Sequence, residues 1–215
     1  MSTCPESIGD CGLHCFGSIS ASISHELKNA LAIINENAGL LEDLSLMAEK
    51  GRPLDPVRLK SLAANIGKQI QRADGIIRNM NRFAHSADEP VNCIDLGDTL
   101  ALTIALSSRL AAMKSVSLNF IPPLQPICVT TRLFYLENLI WLCLKEIFES
   151  AGVEKEITLG LEPRPDGAAV IFSPVDAPVN DASILELLRY LKAAQSADPK
   201  SRKLLITLPA DMTAC

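Results

Sequence analysis

The chain has 215 residues, with 25 Asp and Glu against 20 Lys and Arg for a formal net charge of −5 at pH 7, and 48% of its residues are hydrophobic. That content is ample for a packed core, which excludes a disordered protein and suits one large or two small domains. The longest apolar run, Leu139 to Leu144, is too short to cross a bilayer, and Met1 to Glu6 has no basic segment leading into an apolar one, so no membrane segment and a cytoplasmic location are expected.

Residues 1–16 read as a leader containing cysteine. Cys4, Cys11, His14 and Cys15 place four soft ligands within a short span and could wrap a zinc or iron–sulfur centre, but their spacing matches no regular finger, so a plain leader without metal is expected. Cys93, Cys128 and Cys143 fall within apolar patterns and read as buried small hydrophobes, and the odd total of 7 cysteines argues against a disulfide framework.

A long helix is expected from Gly17 or Ser18 to Glu49, because Ile19, Ile23, Leu27, Leu31, Ile34, Ala38, Leu41 and Leu44 recur at steps of four and three and make one buried stripe. Lys50-Gly51-Arg52-Pro53 closes it, since Gly allows a left-handed cap and Pro forbids continuation. Asp55-Pro56 opens a second helix, with Asp as N-cap and Pro at the first helical position, and a stripe through Val57 or Leu59, Leu62, Ile66, Ile70, Ala73, Ile77, Met80 and Ala84 fades near Pro90. Residues 17–89 therefore read as an antiparallel hairpin with an apolar face that nothing of its own covers, so two copies are expected to pair as a dimeric four-helix bundle. Between Arg52 and Arg82 seven Lys or Arg stand against two acidic residues, a stretch that can steer an acidic protein surface. Nucleic acid is not expected, because the chain is acidic and no basic-aromatic module is present.

On the first helix His25 lies off the apolar stripe. Asn29 follows one turn later on the same outward face, and Glu26 is adjacent. An exposed imidazole beside a carboxylate is a plausible nucleophile, since the carboxylate can fix the ring tautomer and stabilise a cation as the other nitrogen attacks.

After Pro90 the pattern changes and a second domain, 90–215, begins. A helix is expected over Asp98 to Ala112, strands over Val116 to Phe120 and Ile127 to Thr130, and a strongly apolar helix from Arg132 to Ser150. A hairpin of Ile157 to Glu162 with Ala168 to Phe172, a helix from Ala182 to Ala194 and a last strand from Lys203 to Leu208 complete a two-layer α/β sandwich with a mixed sheet.

The residues His25-Glu26-Leu27-Lys28-Asn29 resemble the phosphoacceptor box of the two-component histidine kinases, His-Glu-Leu-Arg/Lys-Asn/Thr. The resemblance implies that His25 carries a phosphoryl group, that Glu26 assists proton transfer and that Asn29 helps orient the partner's groups. The order of elements after Pro90 resembles the ATP-binding domain of the same kinases, with departures. In the family a long helix supplies a magnesium-binding Asn; here the best register over Asn138 to Gly152 puts Glu146 there, and a shifted one puts Leu142 or Cys143 there. The family's Asp-x-Gly-x-Gly and glycine-rich lid are replaced by Phe172 to Asp181, and no glycine occurs after Gly167. A backbone cradle for triphosphate needs residues that tolerate positive φ and close approach, so ATP binding is expected to be poor or absent, with Glu146 as a vestigial cofactor position.

The resulting expectation is a histidine phosphotransferase with a degenerate nucleotide domain. It would relay phosphoryl groups between His25 and an Asp of a response-regulator receiver, with magnesium supplied by that partner. An autokinase with a divergent ATP site, a phosphatase acting on its regulator through Asn29 and a non-catalytic dimeric or redox-responsive adaptor are the alternatives.

Overall fold

The computed structural model describes residues 6–150 and 155–214, and the chain forms two compact units, one of residues 20–81 and one of residues 1–19 with 82–215. Among the described residues no helix is long and apolar enough to cross a membrane.

The first unit is the helical hairpin. Helix α1 (Glu6–Glu49) runs through it from the N-terminal side, and α2 (Pro56–His85) returns. The turn is built as its residues demand: Gly51 adopts φ +83°, while the N–H groups of Gly51 and Arg52 bond back to the carbonyls of Ala48 and Met47 at 2.9 and 3.1 Å. These are the two bonds of a Schellman motif, which satisfies carbonyls left open at the end of a helix. Asp55 caps α2, its Oδ1 accepting from the Val57 N–H at 2.9 Å.

Between the two helices Ile23, Ala30 and Leu62 are buried, as is Asn37, whose amide donates to the Ile33 carbonyl at 2.7 Å. The apolar stripe of α1 is only partly covered within one chain. Leu31 remains 59% exposed, and on α2 Ile70 and Ile77 are 54% and 47% exposed. The seam rides on Ile23, Ala30 and Asn37, one flank of the stripe, and leaves the other flank in water.

The second unit is a two-layer sandwich. A five-stranded sheet has the order β2 (Ser117–Ile121), β4 (Glu156–Arg164), β5 (Gly167–Ser173), β7 (Lys203–Pro209), β6 (Ala194–Asp198); β2 and β4 pair in parallel and the other pairs are antiparallel. Ile157 and Leu159 of β4 and Leu204, Ile206 and Leu208 of β7 alternate inward, as a sheet with one solvated face requires. They meet α3 (Leu96–Met113), α4 (Leu133–Glu149) and α5 (Ala182–Tyr190), with Leu100, Leu136, Leu139, Ile140 and Leu144 wholly buried. A separate antiparallel ribbon, β1 (Asn92–Asp95) with β3 (Cys128–Thr131), lies at the entries to α3 and α4.

Four expectations are corrected here. Residues 6–16 are not a leader: α1 begins at Glu6, and Ile8, Cys15 and Ile19 are buried, Ile8 within the core of the sandwich. Gly9, Gly12 and Gly17 weaken this stretch of helix intrinsically, but packing outweighs propensity, and at Gly12 a Cβ would stand 3.0 Å from the Phe134 ring, so the ring would have to give by a few tenths of an ångström. Helix α5 stops at Tyr190, since Lys192 takes φ +52° and turns the chain into β6, an edge strand too polar to announce itself. The short strand β1 was likewise not anticipated. Cys93 and Cys128 are exposed, because they sit on the outward face of the two-stranded ribbon; Cys143 is buried as expected.

Candidate functional site

His25 stands on the outer side of α1, exposed, with Asn29 also exposed one turn on and Ile23 and Ala30 anchoring the opposite side of the same turns. The helix that holds them is long and paired, so the two polar groups are presented at a spacing fixed by backbone geometry. Glu26 points round towards the hairpin seam. Its side chain is 16% exposed and its carboxylate lies 3.8 Å from the guanidinium of Arg72 on α2. At that distance and exposure the pair contributes little to stability, roughly a few tenths of a kcal/mol. Its effect is orientational: it ties the carboxylate to α2. Arg72 was not singled out from the sequence, although it belongs to the basic stretch that was.

The arrangement can present an imidazole nitrogen to an incoming electrophile on an open surface. Arg58, Lys60, Lys68 and Arg72 are all exposed on α2 and spread over less than half of its circumference.

Glu146, the expected vestigial cofactor position, is on α4 and half-buried. Its Oε1 accepts from the backbone N–H of Asn180 at 2.9 Å and its Oε2 from that of Asp181 at 3.2 Å. Asp181 in turn caps α5, accepting from the Ser183 and Ile184 N–H groups at 2.8 and 3.3 Å. The connection from β5 to α5 is held at two further points. The Gln195 amide pairs with both backbone groups of Val179 at 3.2 and 2.8 Å, and Arg202 grips Asp176 through two nitrogens at 2.6 and 3.0 Å. Arg202 holds the Asp176 carboxyl below its usual range through hydrogen bonding first and charge second. The connection is a short strap tied to α4, β6 and the turn before β7. The two main-chain hydrogen bonds fix the Glu146 carboxylate against the strap and occupy one acceptor site on each of its oxygens.

Beside Glu146 a cleft of about 440 Å³ opens between the start of α1, α4 and the start of α5, lined by Cys11, His14, Cys15, Trp141, Lys145 and Asp181. Burial pushes the Cys11 thiol up, opposed by a hydrogen bond with Ser183, and burial pushes Cys15 up strongly. Among the described residues no group of three or more His, Cys, Asp or Glu could hold a metal ion. Cys4, the first of the soft ligands noted in the sequence, lies outside the described residues.

No family model matches the chain, and no curated protein does. Solved structures do. The ATP-binding domain of PrrB from Mycobacterium tuberculosis is 12% identical, with 57% of this chain and 98% of that one covered and a TM-score of 0.47. The Acinetobacter baumannii histidine kinase AdeS is 11% identical over 86% of this chain and 98% of that one, with a TM-score of 0.45. The catalytic domain of the histidine kinase ThkA is 8% identical over 57% of this chain and 99% of that one, with a TM-score of 0.49. These are likenesses of fold alone.

A buried acid was not anticipated. Glu137 on α4 is 1% exposed, near Cys15, Arg82 and Ser86, and burial pushes its carboxyl up to about 7 against the opposing pull of Ser86 and Arg82. Its signal in the sequence was the one carboxylate between Leu133 and Leu144, in the apolar first two-thirds of α4.

Proposed function

We propose that this chain is a two-component signalling protein of histidine-kinase type that carries a phosphoryl group on His25 and exchanges it with the phosphoacceptor Asp of a response-regulator receiver, with little or no use of ATP. The observation that carries the reading is the exposed His25–Asn29 face within a phosphoacceptor-like box. A neutral His25 nitrogen attacks the phosphorus of the receiver's acyl phosphate in line; the N–P bond forms as the P–O bond to the Asp carboxylate breaks, and the receiver keeps its magnesium. Asn29 orients the phosphoryl oxygens, and Glu26 receives the proton that the imidazole sheds by turning its carboxylate from Arg72 towards His25.

The engagement of Glu146 with the Asn180 and Asp181 backbone, together with the absence of glycine after Gly167, supports weak or absent nucleotide binding. The uncovered Leu31, Ile70 and Ile77 support pairing of two copies through the hairpins. Exposed basic residues along α2 suit the acidic pocket of a receiver.

Incubation with receiver domains charged by a labelled small phosphodonor tests this. Label should pass to the wild-type chain and not to His25→Gln, while labelled ATP with magnesium should leave the chain unlabelled. Equal labelling of wild type and variant overturns the assignment of His25, and self-labelling from ATP makes the chain an autokinase.

A further inference from the structure

Two thiols meet on the surface of the β1–β3 ribbon, away from both regions described above. The strands pair antiparallel with Cys93 opposite Thr130 and Asp95 opposite Cys128, so Cys93 and Cys128 lie on one face, diagonally adjacent. Diagonal neighbours in an antiparallel pair are ordinarily about 7–8 Å apart, but a two-stranded ribbon twists strongly and shortens one diagonal. The two cysteines lie across one such diagonal, and their side chains interact with each other. Both side chains are exposed, and both are free thiols. By contrast Cys15 and Cys143 are buried.

We propose that Cys93 and Cys128 form a reversible disulfide by exchange with a small disulfide of the glutathione class. Cys93 opens the reaction, since the Cys128 thiol is held above its usual range by shielding from water and by the charges of Cys93 and Asp95 beside it. The Cys93 sulfur, its proton released to solvent, attacks one sulfur of the small disulfide; a mixed disulfide forms, and the first small thiolate leaves and takes up a proton. Cys128 then loses its proton and attacks the Cys93 sulfur, and the second small thiolate leaves in the same way. Two protein thiols are oxidised and one small disulfide is reduced to two thiols.

The position of the bridge gives it a consequence. Asp95 is the N-cap of α3, accepting from the Gly97 N–H at 2.7 Å, and β3 runs through Arg132 into α4. A bond between Cys93 and Cys128 ties together the entries of two core helices and closes a loop of about 35 residues, which removes freedom from the unfolded chain.

The test uses the full chain in glutathione buffers of graded oxidised-to-reduced ratio, followed by non-reducing peptide mapping, intact mass and thermal melting. The expected result is a loss of two hydrogens in mass, a Cys93–Cys128 cross-linked peptide that dithiothreitol reverses, and a Tm several degrees higher in the oxidised form. Cys128→Ser, which removes the resolving thiol, should instead retain one glutathionyl group on Cys93. Overturning results are stable glutathionyl groups on both cysteines of the wild type, a cross-link joining other cysteines, or no reaction at thiols that an alkylating reagent still labels.

Discussion

Replacing Glu137 by Gln isolates one buried charge. In the folded chain this carboxyl is moved from 4.5 to about 7, chiefly by burial. Neither of its oxygens has a hydrogen-bond partner of good geometry among the described residues, and the Ser86 hydroxyl beside it spends its proton on the Phe83 carbonyl at 2.7 Å. The folded state therefore binds a proton more tightly than the unfolded state does, so this group's contribution to stability falls as pH rises from about 4.5 to about 7 and is flat above. Once the carboxyl is ionised in both states the folded form carries a penalty of about 3 kcal/mol. At about pH 5 most of that penalty is absent, and the difference between about pH 5 and about pH 8 comes to roughly 2.5 kcal/mol. Glu137→Gln keeps the shape and removes the titration. Whatever cost the new amide brings is the same at both pH values, and at each pH every other carboxyl contributes equally to wild type and variant, so its contribution cancels in their difference. Urea unfolding of wild type and variant at both pH values should show the variant gaining about 2.5 kcal/mol on the wild type between acid and base. An identical stability difference at both pH values would refute the claim that Glu137 is buried and perturbed.

Other expectations follow from single contacts. Glu146→Ala should free the strap, and the backbone amides of Asn180 and Asp181 should exchange with deuterium at least about tenfold faster, as the loss of hydrogen bonds worth about 1.5 kcal/mol or more implies; unchanged protection would show that Gln195 and Arg202 hold the strap without it. Gly12→Val should destabilise the chain by about 1–3 kcal/mol against the Phe134 ring, whereas Gly9→Ala, which meets nothing within 4 Å, should stabilise by up to about 1 kcal/mol. Melting curves that moved the same way for both would contradict the packing of the first turns of α1. A double change of Leu31 and Ile70 to Glu should abolish self-association in sedimentation equilibrium without loss of helical circular dichroism, because both residues are already more than half exposed within one chain; a variant that still dimerises would place the interface elsewhere.

The hairpin was legible because its punctuation is local. Gly51, Asp55 and Pro56 each do at their own positions what their backbone chemistry requires, and the second helix begins and ends where the sequence put it. The β4–β5 hairpin was legible for the same reason, with Gly167 at φ +153° in a place where a Cβ would strike the Leu208 carbonyl oxygen. The start of α1 was not legible. Three glycines argue against a helix there, and the reason it exists is tertiary: Ile8, Cys15 and Ile19 find cover, and Phe16 stacks on Phe83 at 5.6 Å, which in turn meets Phe134 at 5.7 Å. Those aromatic partners are far apart in sequence, and no period in a single segment reveals them. Strand β6 was missed because edge strands need little apolar content, and its register with β7 is fixed by the turn at Arg202 rather than by its own side chains. At the candidate site the outward His25 and Asn29 followed from helical spacing. The tie of Glu26 to Arg72 depends on how two helices align, and the tie of Glu146 to Asn180 and Asp181 on a contact across 34 and 35 residues, so neither was within reach of spacing rules.

The central claim is that phosphoryl reaches His25 from a protein partner. The most direct measurement is to map the label after exposure to a phosphorylated receiver and, separately, to magnesium and labelled ATP. An acid-labile, base-stable phosphoryl group on the peptide containing His25 should arise only from the receiver. Label on any other residue, or label on His25 from ATP alone, would contradict the account.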